Sequence, residues 1–311
     1  MIKFFQITLV LAYIFFAATV LGALLSLFGI GISPAAIISL TGTWIFLCFT
    51  AYRLSAGFHL FRHLQVRNPI LEEEQRIDRL FAEVFAKSKF SEKIRFRIVE
   101  RLEFDAFAIG RRTICLSRGI LEKLSDKAIQ GIMAHELGHL RSKDCIVGAA
   151  YNVALSLPFP FYSRFRYFLF KQKRKHPSGY SIFKQLRLII LIVLFLALVL
   201  TGSGQHIIYF LFVLFSFRYY GKIRGLFEFL YRIVIRFVEY KQDAYAQELG
   251  FGKELLEALT GLTCEEAAPV NLYENLLKYN HPVIYNRIRR LEKLEGLRES
   301  RKASHFALSR K

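Results

Sequence analysis

His135-Glu136-Leu137-Gly138-His139 lies near the middle of the chain, and Glu239-Tyr-Lys-Gln-Asp243 follows about a hundred residues later. Two His at i and i+4 project from one face of a helix and can grip a single metal ion. Glu136, one residue round from His135, is placed to reach a metal-bound water. The motif therefore has to be helical, and its context agrees. Ser125-Asp126 reads as a helix cap, and the segment to Ala134 keeps apolar residues at helical spacing. The expected chemistry is hydrolysis at one zinc ion per chain, with Glu136 as general base.

Two His leave a tetrahedral metal short of one protein ligand. No third His follows at the spacing that some zinc peptidases use; Ser142 and Cys145 stand where that pattern wants Gly and His. A carboxylate is therefore expected. Glu239 and Asp243, four apart, share a helix face, so that Glu239 can bind metal while Asp243 accepts a hydrogen bond from a ligand His. Glu228 and Glu248 are rivals that lack an Asp one turn on, and a solvated acidic pair is the plain alternative.

The composition sets the surroundings. Hydrophobic residues make up 53% of the 311, Phe alone numbers 31, and the formal net charge is +19. Mean hydropathy is +0.30. An oily and basic chain fits membrane spans bounded by cationic loops. Nucleic-acid binding would account for the charge and leave the apolar runs unexplained, so no specific nucleic-acid partner is expected. Phe4 to about Ile30 carries no charge and is long enough for a bilayer core of about 30 Å. A second run spans about Pro34 to Tyr52. Two shorter ones, Leu188–Leu200 and His206–Phe217, flank Thr201-Gly-Ser-Gly-Gln205. Arg53, Arg62 and Arg67 follow the second run. Lys171, Lys173, Arg174, Lys175, Lys184 and Arg187 precede the third, and Arg218, Lys222 and Arg224 follow the fourth. The excess of Lys and Arg puts these ends, both termini and the His135 region in the cytoplasm, against anionic headgroups. His135, His139 and Glu239 can meet only if an even number of crossings separates them. The apolar stretch Cys145–Phe161 is therefore read as a continuation of the catalytic helix rather than a fifth span.

Ahead of the motif, Glu72–Lys87 places Ile77, Leu80, Phe81, Val84 and Phe85 at helical spacing. Arg95–Arg101 alternates like a strand, and Phe104–Ile109 and Thr113–Leu116 read as strands joined at Gly110-Arg-Arg112. An exposed edge strand there would let a substrate dock as an extra strand. Cys48, Cys115, Cys145 and Cys264 form no metal-type pair and read as small hydrophobes.

Four stretches together resemble the HtpX-like membrane zinc endopeptidases, relatives of the CAAX prenyl protease. They are Asp105-Ala-Phe-Ala-Ile-Gly110, Ala134-His-Glu-Leu-Gly-His-Leu-Arg-Ser-Lys-Asp144, Glu239-Tyr-Lys-Gln-Asp-Ala-Tyr-Ala246, and His281-Pro282 followed by Arg287-Ile288 and Leu291. The resemblance implies Glu239 as third metal ligand beside His135 and His139. It implies His281 and Arg287 as oxyanion partners, and Ala106, Phe107 and Ala108 as the strand that binds substrate. It also implies protein substrates, misfolded membrane proteins among them, in a bacterial inner membrane. Two positions depart from the family pattern: Asp105 stands for the usual Asn, and Gln242 for a frequent Ala.

The expected architecture is a mainly α integral membrane protein. Four transmembrane helices accompany a cytoplasmic α+β zincin-like domain with a small antiparallel sheet. Residues 1–56 and 186–220 form transmembrane hairpins, 57–185 and 221–297 the two halves of the peptidase domain, and 298–311 a basic disordered tail. The alternative function is a signalling or regulatory membrane metalloprotease, or a sensor with a non-catalytic metal site.

Overall fold

The computed structural model describes residues 2–27, 65–88, 90–156, 204–262 and 284–308, with single positions and short stretches between 33 and 50. It divides into two compact units. One comprises Met1–Gln6, Arg53–Ala149 and Phe229–Lys311; the other comprises Ile7–Tyr52 and Ala150–Glu228.

The first unit contains the motif. Strand β1 (Val66–Arg67) leads into helix α2 (Leu71–Ser88), which follows the N-terminal helix α1 (Ile2–Leu27) in chain order. The face of α2 read from sequence is the buried one: Ile77, Leu80, Phe81 and Val84. Each such side chain contributes roughly 1.5–3 kcal/mol when fully removed from water. Strands β2 (Arg95–Val99), β3 (Ala106–Ile109) and β4 (Thr113–Ser117) complete a four-stranded sheet in the order β1-β2-β4-β3. It is mixed, not antiparallel as expected. β1 and β3 are antiparallel to their neighbours, but β2 and β4 run parallel, with Ile98 opposite Leu116. The physical reason lies in β4. Its Ile114, Cys115 and Leu116 are all fully buried, and a strand apolar on both faces takes the centre. That displaces β3, which is half-buried throughout, to the edge.

Helix α3 (Arg118–Lys123) and helix α4 (Asp126–Ser142) follow. Ser125 caps α4, its hydroxyl accepting from the Ala128 N–H. Ile129, Met133, Leu137 and Leu140 of α4 join the core with α2, the inner sheet positions, and Leu255 and Leu259 of helix α7 (Gly252–Leu262). Gly131 permits the close crossing of α4 and α7, because a Cβ there would run into the backbone at Leu255.

The expectation that α4 continues through Cys145 is overturned. Lys143 takes a left-handed conformation, φ 57°, and its N–H bonds back to the carbonyls of His139 and Leu140. A separate helix α5 (Asp144–Ser156) then starts. Residues 157–161 of that apolar stretch lie outside the described residues. Helix α6 (Gly204–Glu248) is unbroken over 45 residues, taking in both the fourth apolar run and Glu239. Helix α8 (Ile284–Leu308) runs through most of the tail expected to be disordered. That stretch holds Leu, Arg, Glu, Lys and Ala, strong helix formers.

Among the described residues one helix is long and apolar enough to cross a bilayer, over Ile2–Ala23 of α1. The second apolar run is helical at 37–39 and 41–46, and the third lies outside the described residues.

Candidate metal centre

Helix α4 presents His135 and His139 one turn apart, and α6 brings Glu239 to them. His135 Nε2 and His139 Nε2 are 3.2 Å apart. Glu239 Oε2 lies 3.5 Å from the first, and Glu239 Oε1 lies 3.5 Å from the second. Donors about 2.0–2.1 Å from a tetrahedral metal sit about 3.4 Å from one another. The three side chains thus stand at the spacing a zinc ion would impose, and they form a group able to hold one.

Electrostatics point the same way. His135, Glu136, Glu239 and Asp243 are each no more than 6% exposed, and Arg287 is 9% exposed. Glu136, Glu239 and Asp243 bring three buried carboxylates against the Arg287 guanidinium and the His135 ring, so the cluster has an excess of acidic groups. Uncompensated buried charge is costly, and a divalent cation would neutralise it.

Asp243 sits one turn beyond Glu239, its Oδ1 2.9 Å from His135 Nδ1. A hydrogen bond from Nδ1–H there selects the tautomer in which Nε2, the nitrogen on the His139 and Glu239 side, can bind a metal. Arg287, from α8, grips the same carboxylate. Its Nε donates to Asp243 Oδ2 at 2.9 Å and its Nη2 to Oδ1 at 2.6 Å. Its Nη1 is 3.7 Å from Glu239 Oε2. The family resemblance implies that Arg287 faces the scissile carbonyl; two of its nitrogens lie on Asp243. His281 lies outside the described residues.

Burial and the Arg287 charge push the His135 imidazole toward its neutral form. The Asp243 and Glu239 carboxylates outweigh them and raise its pKa to about 9. Burial raises Asp243, but Arg287 and His135 prevail and hold it down at about 2.

Ala106, Phe107 and Ala108 form strand β3, which packs against α4 and, among the described residues, pairs on one side only, with β4. Cys115 and Cys145 are pushed up to about 12, chiefly by burial, so neither is a thiolate nucleophile near neutral pH.

In the sequence Gln242 stands out only as a departure from the family pattern. It is 2% exposed and donates from Nε2 to Ser142 Oγ at 2.9 Å and to Asp144 Oδ2 at 2.7 Å. Its position three residues after Glu239 was a signal available in the sequence.

Two His from one helix, a carboxylate from another and an acid beside the first His are the residue set that metal-dependent peptidases use. The chain belongs to peptidase family M48, whose sequence model matches residues 71–295. It is similar to the protease HtpX homolog of Bacteroides fragilis strain YCH46, 36% identical over 77 residues, which are 24% of each chain. It is similar also to that of Helicobacter acinonychis strain Sheeba, 29% identical over 137 residues, 41% of this chain and 42% of the relative. The aligned stretches thus cover less than half of these curated relatives. The crystal structure of S. mikatae Ste24p shares the fold, with a TM-score of 0.51 at 17% identity, over 82% of this chain and 57% of that one.

Proposed function

We propose that the protein is a zinc metalloendopeptidase of the membrane. One observation carries this reading: the donor groups of His135, His139 and Glu239 approach one another to 3.2–3.5 Å, with Glu136 adjoining His135. His135, His139 and Glu239 hold the ion, and Asp243 orients His135. A bound zinc ion supplies a Lewis acid and lowers the pKa of its water to about 7. Glu136 takes the proton of the attacking water and passes it to the leaving amine. The substrate chain adds to β3, the edge strand among the described residues, along Ala106–Ala108, which fixes the peptide bond relative to α4. Arg287 steadies Asp243 through two nitrogens. Its Nη1 and His281 are the donors for the developing oxyanion, where one donor is commonly worth about 3 kcal/mol.

The apolar runs and the basic residues at their ends support a multi-pass protein. Its four spans lie in the inner membrane, with the metal centre and both termini in the cytoplasm and basic loops on anionic headgroups. Cytoplasmic parts of misfolded membrane proteins are the substrates this placement favours, which makes quality control the role.

The test uses detergent-purified protein and an unfolded substrate such as casein. Wild type cleaves it, and Glu136→Gln cleaves it roughly 10²–10⁴-fold more slowly while keeping its zinc. Equal cleavage by the two would remove Glu136 as base.

A further inference from the structure

Helices α4 and α6 supply the three donors, and a second polar link joins them one turn away. Gln242 lies three residues after Glu239, on nearly the same face of α6. Its amide donates to Ser142 Oγ at 2.9 Å and to Asp144 Oδ2 at 2.7 Å. Ser142 also hydrogen-bonds Asp144 and the carbonyl of Gly138. Gln242 and Asp144 are both buried, 2% and 7% exposed, so this link is shielded from water.

Two features of α4 look built for it. The left-handed Lys143 ends the helix between Ser142 and Asp144 and turns both toward one amide. Gly138, inside the two-His motif, leaves a notch: a Cβ there would sit 2.5 Å from Gln242 Oε1. A side chain shorter than Gln at 242 would leave that notch unfilled and Asp144 short of a donor.

We infer that Gln242 is a positioning residue that holds the Glu239 segment of α6 against α4 at metal-binding distance. It touches neither metal nor substrate. The inference rests on the metal reading above and adds to it a positioning role for Gln242. Groups that orient metal ligands commonly change metal affinity 10–100-fold when removed.

The measurement is zinc release from the full-length, detergent-purified protein into a chromophoric chelator, at a temperature well below melting. Gln242→Ala is expected to release zinc at least about tenfold faster than wild type. A merely structural role would lower the melting temperature and leave release unchanged, which would overturn the inference. An exchange of the two partners provides the second arm. Gln242→Glu alone sets two carboxylates face to face and speeds release. Combined with Asp144→Asn it restores one donor and one acceptor, and release returns to within about threefold of wild type. If the alanine variant does not fold, the exchange decides. A double variant that releases as fast as Gln242→Glu, or fails to fold, sinks the proposal. Glu239→Ala is the control: a variant that keeps zinc as tightly as wild type refutes the metal reading itself, whereas loss of zinc there with wild-type release in Gln242→Ala refutes only the role of Gln242.

Discussion

Helices α4 and α6 meet at one site but contribute to it in different ways. α4 carries three site residues within five positions, and eleven of its seventeen residues are buried. It is a core helix, held by Ile129, Met133, Leu137 and Leu140. α6 is 45 residues long, and its contribution comes near its C-terminal end. There the buried positions are Val238, Glu239, Gln242, Asp243, Tyr245, Ala246 and Gln247, and four of these seven are polar or charged. Leu226, Leu230 and Phe237, just before them, are exposed. One helix is thus placed by apolar burial and brings its ligands along. The other is placed to a large extent by the polar groups that form the site. The metal should therefore matter more to the seating of α6 than to that of α4.

The strongest way to break this comparison is Glu239→Ala. It removes the donor that α6 gives to the metal, so zinc affinity should fall by more than the roughly hundredfold limit for groups outside the ligand set. The melting transition of α4 and its core should remain. Titration with a competing chelator, alongside a thermal melt, reads both. Zinc bound as tightly as in wild type would leave α6 without its assigned part.

Asp243→Asn is the next test. Asn keeps the shape but not the charge that faces both His135 and Arg287. Zinc affinity should drop about 10–100-fold. The effect of pH sharpens it. In protein stripped by chelator, His135 titrates near 9 rather than its usual 6.5. A raised folded-state value means that its stabilisation of the stripped protein is complete below about 6.5 and is lost as pH rises through 9. Zinc must displace that proton, so wild-type affinity climbs with pH up to about 9. Without the Asp243 charge the climb should end at lower pH. Calorimetry in buffers of different ionisation enthalpy would count the protons released; equal counts near pH 8 for both proteins would contradict the arrangement.

The same contrast governs what was legible in the sequence. α4 is specified locally, by Ser125 at its start and apolar residues at helical period, so its span and the role of its motif could be read directly. β3 and β4 were legible as strands for the same reason. Their order was not, because β4 takes the centre through burial against α3 and α4, a tertiary effect invisible to alternation. The end of α4 was missed because Lys143, not a Gly, adopts the left-handed turn. On α6, spacing could offer Glu239 only as one acidic residue among rivals, and resemblance singled it out. The grip of Arg287 on Asp243 joins residues 44 apart in sequence, and no local period encodes it.

Ser125→Ala is the smallest of these perturbations and tests the other half of the comparison. Ser125 Oγ accepts from the Ala128 N–H at 3.1 Å, satisfying a donor that the first turn of α4 leaves open. The same hydroxyl reaches Glu257 on α7. Loss of such a cap typically costs about 1 kcal/mol, or roughly 2–4 °C in melting temperature for a protein of this size. His135 lies beyond the first two turns, in the part of α4 held by Met133 and Leu137, so fraying at Ser125 should not reach it. Zinc affinity should stay within about twofold of wild type, and Ser125→Thr, which retains the acceptor, should recover most of the stability. A tenfold loss of zinc affinity in Ser125→Ala would mean that α4 is not seated by its core alone. The two helices would then depend on the site in the same way.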